Sequence, residues 1–221
     1  IMEKVRKGKG LSEEHEALMR EHNVPEWYID SCKKIKYMFP KAHAVAYVIM
    51  AVRIAWFKVH HPEYYYVSFF SLRCDAYEIE TMIQDAAGIK RRMDEIAVKM
   101  QAKDKAEQAT KKERDLYDTL EICYEMVSRG YRLSNIDLKR SMATEFAVDK
   151  YDHHVIIPPF TILDGLGDNV ARSIVEAREE REFTSKEDLL RRSQLSTTLK
   201  EKLERLGCLN DLGESDQLSL F

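Results

Sequence analysis

The spacing of apolar residues predicts helices over the first 72 residues. Acidic residues directly follow Ser12, which favours a helix capped by that side chain, since acids in a first turn suit the helix dipole. Pro25 is placed to open the next helix. The segment AHAVAYVIMAVRIAWFKVHH, between Pro40 and Pro62, predicts a third helix. Because that helix is apolar on nearly every face, we expect it to be buried.

The pattern changes along the rest of the chain. Amphipathic helix is predicted from about residue 75 to 130, interrupted by a charged stretch, Lys99 to Arg114, that we interpret as a solvated helix end or loop. After Gly130 the period shortens, and two short helical hairpins then lead to about Leu209. The short strands are predicted within 131–133, 143–148 and 154–157. The predicted fold class is therefore mainly α with a few short strands.

Composition narrows the class of protein without naming a partner. The chain has 221 residues, of which 44% are hydrophobic, and its net charge of −3 does not by itself demand nucleic acid. The four cysteines form no CxxC pair, which is typical of a protein of the reducing cytoplasm. We see no run of about 18 apolar residues and expect no membrane span. The opening residues resemble the end of a helix, so we expect the chain to come from a longer protein.

Two glycines around a leucine, Gly165-Leu166-Gly167, precede an amphipathic helix, and this pattern is typical of a helix-hairpin-helix motif. Glycine lets the backbone approach a ligand closely, and the free N–H groups of the next helix can bind a phosphate oxygen. Such a module would hold the backbone of duplex DNA without reading bases. The predicted contacts are Gly165, Leu166, Gly167, Asn169 and Arg172. An ordinary glycine turn between two helices is the alternative.

A second hairpin, around residues 189–203, lacks these glycines and is interpreted as a degenerate copy whose main role is packing. From Pro158 to Arg205 the chain holds nine Lys and Arg against ten Asp and Glu. Backbone amides can bind phosphate without net positive charge, but we expect such binding to be weak alone.

The last five residues, QLSLF, form a short linear motif that resembles the peptide by which bacterial proteins bind a sliding clamp. An acidic lead, which we expect to be disordered from about Asp211, would present the apolar side chains to a pocket on a partner. The predicted clamp contacts are Gln217, Leu218, Leu220 and Phe221. The alternative is that Leu220 and Phe221 fold back onto their own domain.

A third group of residues surrounds Pro40. Proline disfavours an α conformation at Phe39, so that residue should lie in an extended elbow. His43 and Tyr47 are four apart and share one helix face, and Lys41 is a cation in a first turn, where an anion would favour it. Phe39, Lys41, His43 and Tyr47 are therefore candidate nucleotide-binding residues. Core packing with a solvated Lys41 is the alternative.

Taken in order, these stretches resemble the C-terminal part of the PolC-type DNA polymerase III alpha subunit of Gram-positive bacteria. The stretches that carry the resemblance are VPEWYIDSCKKIKYMFPKAHAVAYVIMAVRIAWFKVHHPEYYYVSFFSLR, NIDLKRSMATEF, IIPPF, GLGDNVARSIVEAREE, FTSKEDLLRR and QLSLF. In that family the hairpin usually has Pro where this chain has Asp164, and an acid beside a phosphate site is unfavourable.

The resemblance implies a chain organised in four parts. These are the end of the polymerase fingers (1–72), a helical connector (73–130), a duplex-binding domain with tandem hairpins (131–210) and a clamp-binding tail (211–221). The implied partners are duplex DNA, an incoming dNTP, the sliding clamp and the rest of the polymerase, in the bacterial cytoplasm and without a membrane.

Polymerase chemistry needs Mg²⁺ held by paired aspartates of a palm domain, and no suitable Asp-x-Asp pair occurs in this chain. The resemblance implies that the full-length parent is a nucleotidyltransferase. Because the aspartate pair is missing, we expect no metal site in this chain and no catalytic activity of the chain in isolation. Two other interpretations are a free-standing helix-hairpin-helix repair accessory that binds the clamp, and a helical scaffold.

Overall fold

A computed structural model describes residues 1–38 and 40–215. It is mainly α-helical, with one three-stranded sheet, and this confirms the predicted fold class. The chain divides into two compact units, Ile1–Trp56 and Phe57–Phe221. The functional division predicted from the resemblance, with its boundary at residue 72, stays a prediction.

The first unit holds three short helices, α1 (Met2–Arg6), α2 (Glu13–Glu21) and α3 (Glu26–Lys34). Ser12 caps α2, as predicted, by accepting a hydrogen bond from the backbone N–H of His15 at 3.3 Å. Pro25 stands immediately before α3. The unit has a small core of its own, formed by Val5, Met19, Ile29 and Cys32.

The long apolar helix α4 spans Lys41–His60, close to the predicted ends. The prediction that this helix is buried is wrong, since none of its residues is buried. Its 20 residues, with a mean hydropathy of 1.4 over its most apolar window, are long and apolar enough to cross a membrane by length and composition alone, and a single such helix is weak evidence for a span. The expectation of no membrane span stays a prediction. An apolar pattern predicts that a helix packs against other protein or lipid, but it does not show whether the packing partner belongs to this chain.

Helices α5 (Pro62–Leu72), α6 (Ile79–Met82), α7 (Ala86–Gln101) and α8 (Lys111–Ser128) form the body of the second unit. Their core includes the fully buried rings of Tyr66 and Phe70, stacked at 6.4 Å between centroids. The charged stretch Lys99–Arg114 does contain a loop, between α7 and α8. Thr110 ends that loop and caps α8 by accepting from the N–H of Glu113 at 3.1 Å.

Three short strands follow: β1 (Arg132–Leu133), β2 (Ala147–Val148) and β3 (Val155–Ile157). They lie in the order β1-β3-β2, with β1 parallel and β2 antiparallel to β3. All three residues of β3 are buried, so the central strand of the sheet is part of the core and not a surface layer.

A 3₁₀ turn over Phe160–Ile162 leads into the last three helices, α9 (Asp168–Glu180), α10 (Lys186–Arg192) and α11 (Thr197–Arg205). Their apolar residues, including Leu166, Ile174, Leu189 and Leu203, belong to the same core as Tyr66 and Phe70. The segment predicted as a connector and the hairpin region therefore share one core.

The segment after Leu209 was predicted to be disordered from about Asp211, and the structure corrects this. The backbone N–H groups of Lys186 and Glu187 donate to the carbonyls of Gly213 and Glu214 at 2.9 and 3.1 Å. Lys186 Nζ also lies 2.5 Å from a Glu214 carboxylate oxygen. These contacts hold the chain against the start of α10 as far as Glu214, because first-turn amides of a helix need acceptors from outside it.

Candidate nucleic-acid interface

The turn before α9 depends on Gly165, whose φ of +88° lies in the left-handed region that a side chain disfavours. Leu166 follows with its side chain 4% exposed and its N–H donating to the Leu163 carbonyl at 2.9 Å. The side chain and the backbone N–H of Leu166 thus both make their contacts inside the protein. The apolar residue of the motif fixes the turn, and the surface for a ligand is left to its neighbours.

Gly167 is the N-cap residue immediately before α9; it has no side chain to cap the helix and has φ −81° and ψ 165°. Four other helices of the same unit, α7, α8, α10 and α11, are capped by Asp, Thr or Ser side chains, whereas α5 and α6, like α9, have no side-chain cap. A Cβ at Gly167 would meet no atom within 4 Å, so the space in front of this helix end is open. Open first-turn amides and the positive end of the dipole together favour an anion there.

Asn169 and Arg172 are exposed and lie three apart on α9, so they share one face of the helix. Ala171 and Ile174 are buried on the opposite face. The structure therefore places four of the five predicted DNA contacts on one surface: the two glycines, Asn169 and Arg172.

Two lysines compensate the acid at position 164. Lys112 Nζ, at the start of α8, lies 2.7 Å from the Asp164 carboxylate, and Lys202 Nζ, on α11, donates to the Asp164 carbonyl at 2.7 Å. The contact with Lys112 lowers the pKa of the Asp164 carboxyl below its ordinary value, and the charge of Lys202 adds to this. The sequence analysis predicted neither lysine as a site residue, because each lies far from the turn along the chain.

The second hairpin, α10 and α11, has a different construction. Ser196 caps α11 by accepting from the N–H of Leu199 at 3.3 Å, so this helix end is occupied. Leu189, Leu195 and Leu203 are buried, in agreement with the predicted packing role.

Asp188, on α10, has no exposed surface and binds three arginines. The distances from its carboxylate are 3.0 Å to Arg181, 2.7 Å to Arg191 and 3.1 Å to Arg192. Burial raises the pKa of Asp188, but the Thr184 N–H and the arginines outweigh it and lower this pKa to about 2. The acid is therefore ionised at neutral pH and holds the end of α9 to α10.

The candidate nucleotide-binding residues belong to the first unit. Lys41, His43 and Tyr47 lie exposed on the first two turns of α4. The rings of His43 and Tyr47 meet edge to face, with centroids 4.5 Å apart, as their four-residue spacing predicts. Phe39 lies outside the described residues, as do the predicted clamp contacts Gln217, Leu218, Leu220 and Phe221.

Comparison with known proteins places this geometry in a family context. The helix-hairpin-helix motif family matches residues 130–218, a range that contains the Gly165–Gly167 turn and the uncapped end of α9. The DNA polymerase III PolC-type of Streptococcus sanguinis (strain SK36) is 55% identical over the whole of this chain, which spans 15% of the relative's length. The protein of the same name from Bacillus subtilis (strain 168) is 53% identical with the same coverage.

The chain is homologous to one segment of PolC-type DNA polymerase III. The resemblance found in the sequence is therefore confirmed. The PolC-type relatives also align with residues 1–129, which the helix-hairpin-helix match does not include.

Proposed function

We propose that this chain is the duplex-holding segment of a PolC-type replicative DNA polymerase, in the bacterial cytoplasm. The observation that carries the proposal is the open N-terminus of α9 behind the Gly165–Gly167 turn, within the helix-hairpin-helix region. A row of backbone amides binds phosphate oxygens and carries no sequence information, so this contact would not depend on base sequence.

A substitution at Gly167 separates binding from folding. Gly165 does not suit such a test, because its φ of +88° penalises any side chain. Gly167 has the backbone angles of Ser12 and Ser196, which both cap helices. In Gly167→Ser the new hydroxyl would cap α9 and take the amide that a phosphate needs. We therefore expect weaker duplex binding with unchanged or higher thermal stability.

Fluorescence anisotropy with a labelled duplex of mixed sequence measures the binding, and thermal denaturation measures the stability. Gly213→Ser is the matched control, because Gly213 also has open space at its Cβ position and begins no helix. Equal affinity of Gly167→Ser and the parent chain would show that α9 does not bind the phosphate.

The same proposal assigns the polymerase reaction to the complete protein. The described residues contain no group of three or more His, Cys, Asp or Glu side chains placed to hold a metal, so they do not fit the Mg²⁺ that a polymerase requires. We propose that carboxylates elsewhere in the polymerase hold the metal. A free-standing repair accessory is less favoured, because it would not need the polymerase-like residues 1–130.

We also propose that the N-terminal end of α4 faces the incoming dNTP in the complete polymerase. The supporting observation is the exposed cation of Lys41 in a first turn that contains no acid, beside the paired rings of His43 and Tyr47. In the full-length enzyme Lys41→Ala should raise KM for nucleotides about tenfold or less while Arg53→Ala, further along the same helix, leaves it unchanged. Steady-state kinetics would contradict the assignment if both variants kept the parent KM.

The exposed apolar surface of α4 fits the same proposal. Large apolar surfaces of this kind mark contacts with other protein or with membrane. Since the PolC-type relatives are far longer than this chain, we propose that other segments of the polymerase cover α4. The terminal QLSLF would bind the sliding clamp, and its test is argued in the Discussion.

A further inference from the structure

Lys112 lies beside the candidate phosphate site although the sequence places it 52 residues before Asp164. It is the second residue of α8, and its side chain is 65% exposed while that of Asp164 is 74% exposed. An ion pair between two such exposed groups contributes little to stability. Holding the fold together therefore does not account for this lysine.

The charges around the turn show what the lysine does to the local electrostatics. A surface depression of about 370 Å³ in front of the turn is lined by Asp75, Lys112, Asp164, Gly165 and Gly167, among others. Asp168 adds a further acid in the first turn of α9. A phosphate entering here would approach these three carboxylates, and they need compensation for the contact to be favourable.

The compensating cations are Lys112, Lys202 and Arg172. Lys202 already donates to the Asp164 carbonyl and Arg172 lies one turn further along α9, so Lys112 is the cation that lines the depression itself. Without it the acids in front of the turn would outnumber the cations.

We propose that Lys112 is a phosphate contact for DNA, delivered by α8 to the site formed by α9. Asp164 holds the ammonium group in place in the free protein, and a backbone phosphate replaces that carboxylate as its partner when DNA binds. The inference rests on the proposed duplex binding and adds a contact from outside the helix-hairpin-helix region.

Three single substitutions test this assignment on the whole chain with a labelled duplex of mixed sequence. Lys112→Ala should lower the affinity about three- to tenfold and reduce the slope of log affinity against log salt by about 1. Lys111→Ala is the matched control: Lys111 is the preceding residue of the same helix, its side chain is 87% exposed, and its partner is Asp115 of α8. It should change neither quantity, although it removes the same charge.

Asp164→Asn gives the opposite sign. If Lys112 binds phosphate, removing its competing carboxylate should raise the affinity; if Lys112 only supports the turn, losing either partner should lower the affinity. Equal effects of Lys112→Ala and Lys111→Ala, or weaker binding by Asp164→Asn, would overturn the inference. Gly167→Ser distinguishes failure of the Lys112 contact from failure of the proposed duplex binding. If Gly167→Ser loses binding while Lys112→Ala binds like the parent chain, the proposed function stands and only the Lys112 contact is rejected.

Discussion

At the scale of single residues, the carboxylate of Asp188 shows how an acid is kept charged without exposed surface. A buried charge is costly unless it is paired and hydrogen-bonded, and here Arg181, Arg191, Arg192 and the Thr184 N–H all donate to it. Arg192 also donates to the Ala177 carbonyl at the end of α9. Through the arginines that it binds, Asp188 thus connects α9, α10 and the loop between them.

We therefore expect Asp188→Asn to lower the free energy of unfolding at neutral pH by about 2–4 kcal/mol, since an amide cannot balance the arginines. Urea denaturation followed by circular dichroism measures this. Glu182→Gln is the control, because Glu182 pairs with Lys139 and both side chains are more than 70% exposed. Exposed pairs are worth about 1 kcal/mol at most.

The pH dependence has a definite sign. The pKa of Asp188 is about 2 in the folded protein and ordinary in the unfolded chain, so the carboxylate stabilises the fold above about pH 4. That stabilisation is lost as the pH falls from about 4 towards 2, and Asp188→Asn should lose less stability than the parent over this range. Parallel pH profiles for the two proteins would contradict the role assigned to this acid.

At the scale of elements, local sequence patterns predicted most of the helices and strands. The cap at Ser12, the ends of α4, the loop before α8 and the short strands all follow from residues close together in the chain. The exposure of α4 did not follow from its pattern, which predicted a buried helix. Periodicity reports that a surface is apolar, whereas burial depends on which other segments are present to cover it.

The candidate site divides in the same way. The Gly165–Gly167 turn and the open start of α9 could be predicted, because glycine spacing acts locally. The burial of Leu166 could be predicted only with knowledge of the core. The position of Lys112 could be predicted only with knowledge that α8 packs beside the turn. Distant charges of this kind are the part of a site that spacing in the sequence does not report.

At the scale of the whole chain, the C-terminal segment connects the hairpin core to the proposed clamp peptide. Gly213 and Glu214 supply the carbonyls that satisfy the first amides of α10, and Lys186 bridges Glu204 and Glu214 at 3.0 and 2.5 Å. The segment therefore contributes to the fold as far as Glu214. The proposed clamp contacts begin three residues later, at Gln217.

This arrangement predicts that two truncations behave differently. Removing Gln217 to Phe221 should abolish binding to a sliding clamp, because Leu218, Leu220 and Phe221 supply the apolar anchors, while the melting temperature and duplex affinity remain those of the parent. Removing the chain from Gly213 onward should also lower the melting temperature by several degrees, since α10 loses the acceptors for its first-turn amides.

Surface plasmon resonance with immobilised clamp and differential scanning calorimetry measure the two effects separately. The expected affinity of the peptide is about micromolar, so tethering to an encircling clamp would supply processivity through local concentration. Leu218→Ala with Phe221→Ala in the full chain is the control that keeps the chain length. A drop in melting temperature for the shorter truncation would mean that the terminal leucine and phenylalanine pack on their own domain, which would reject the clamp assignment.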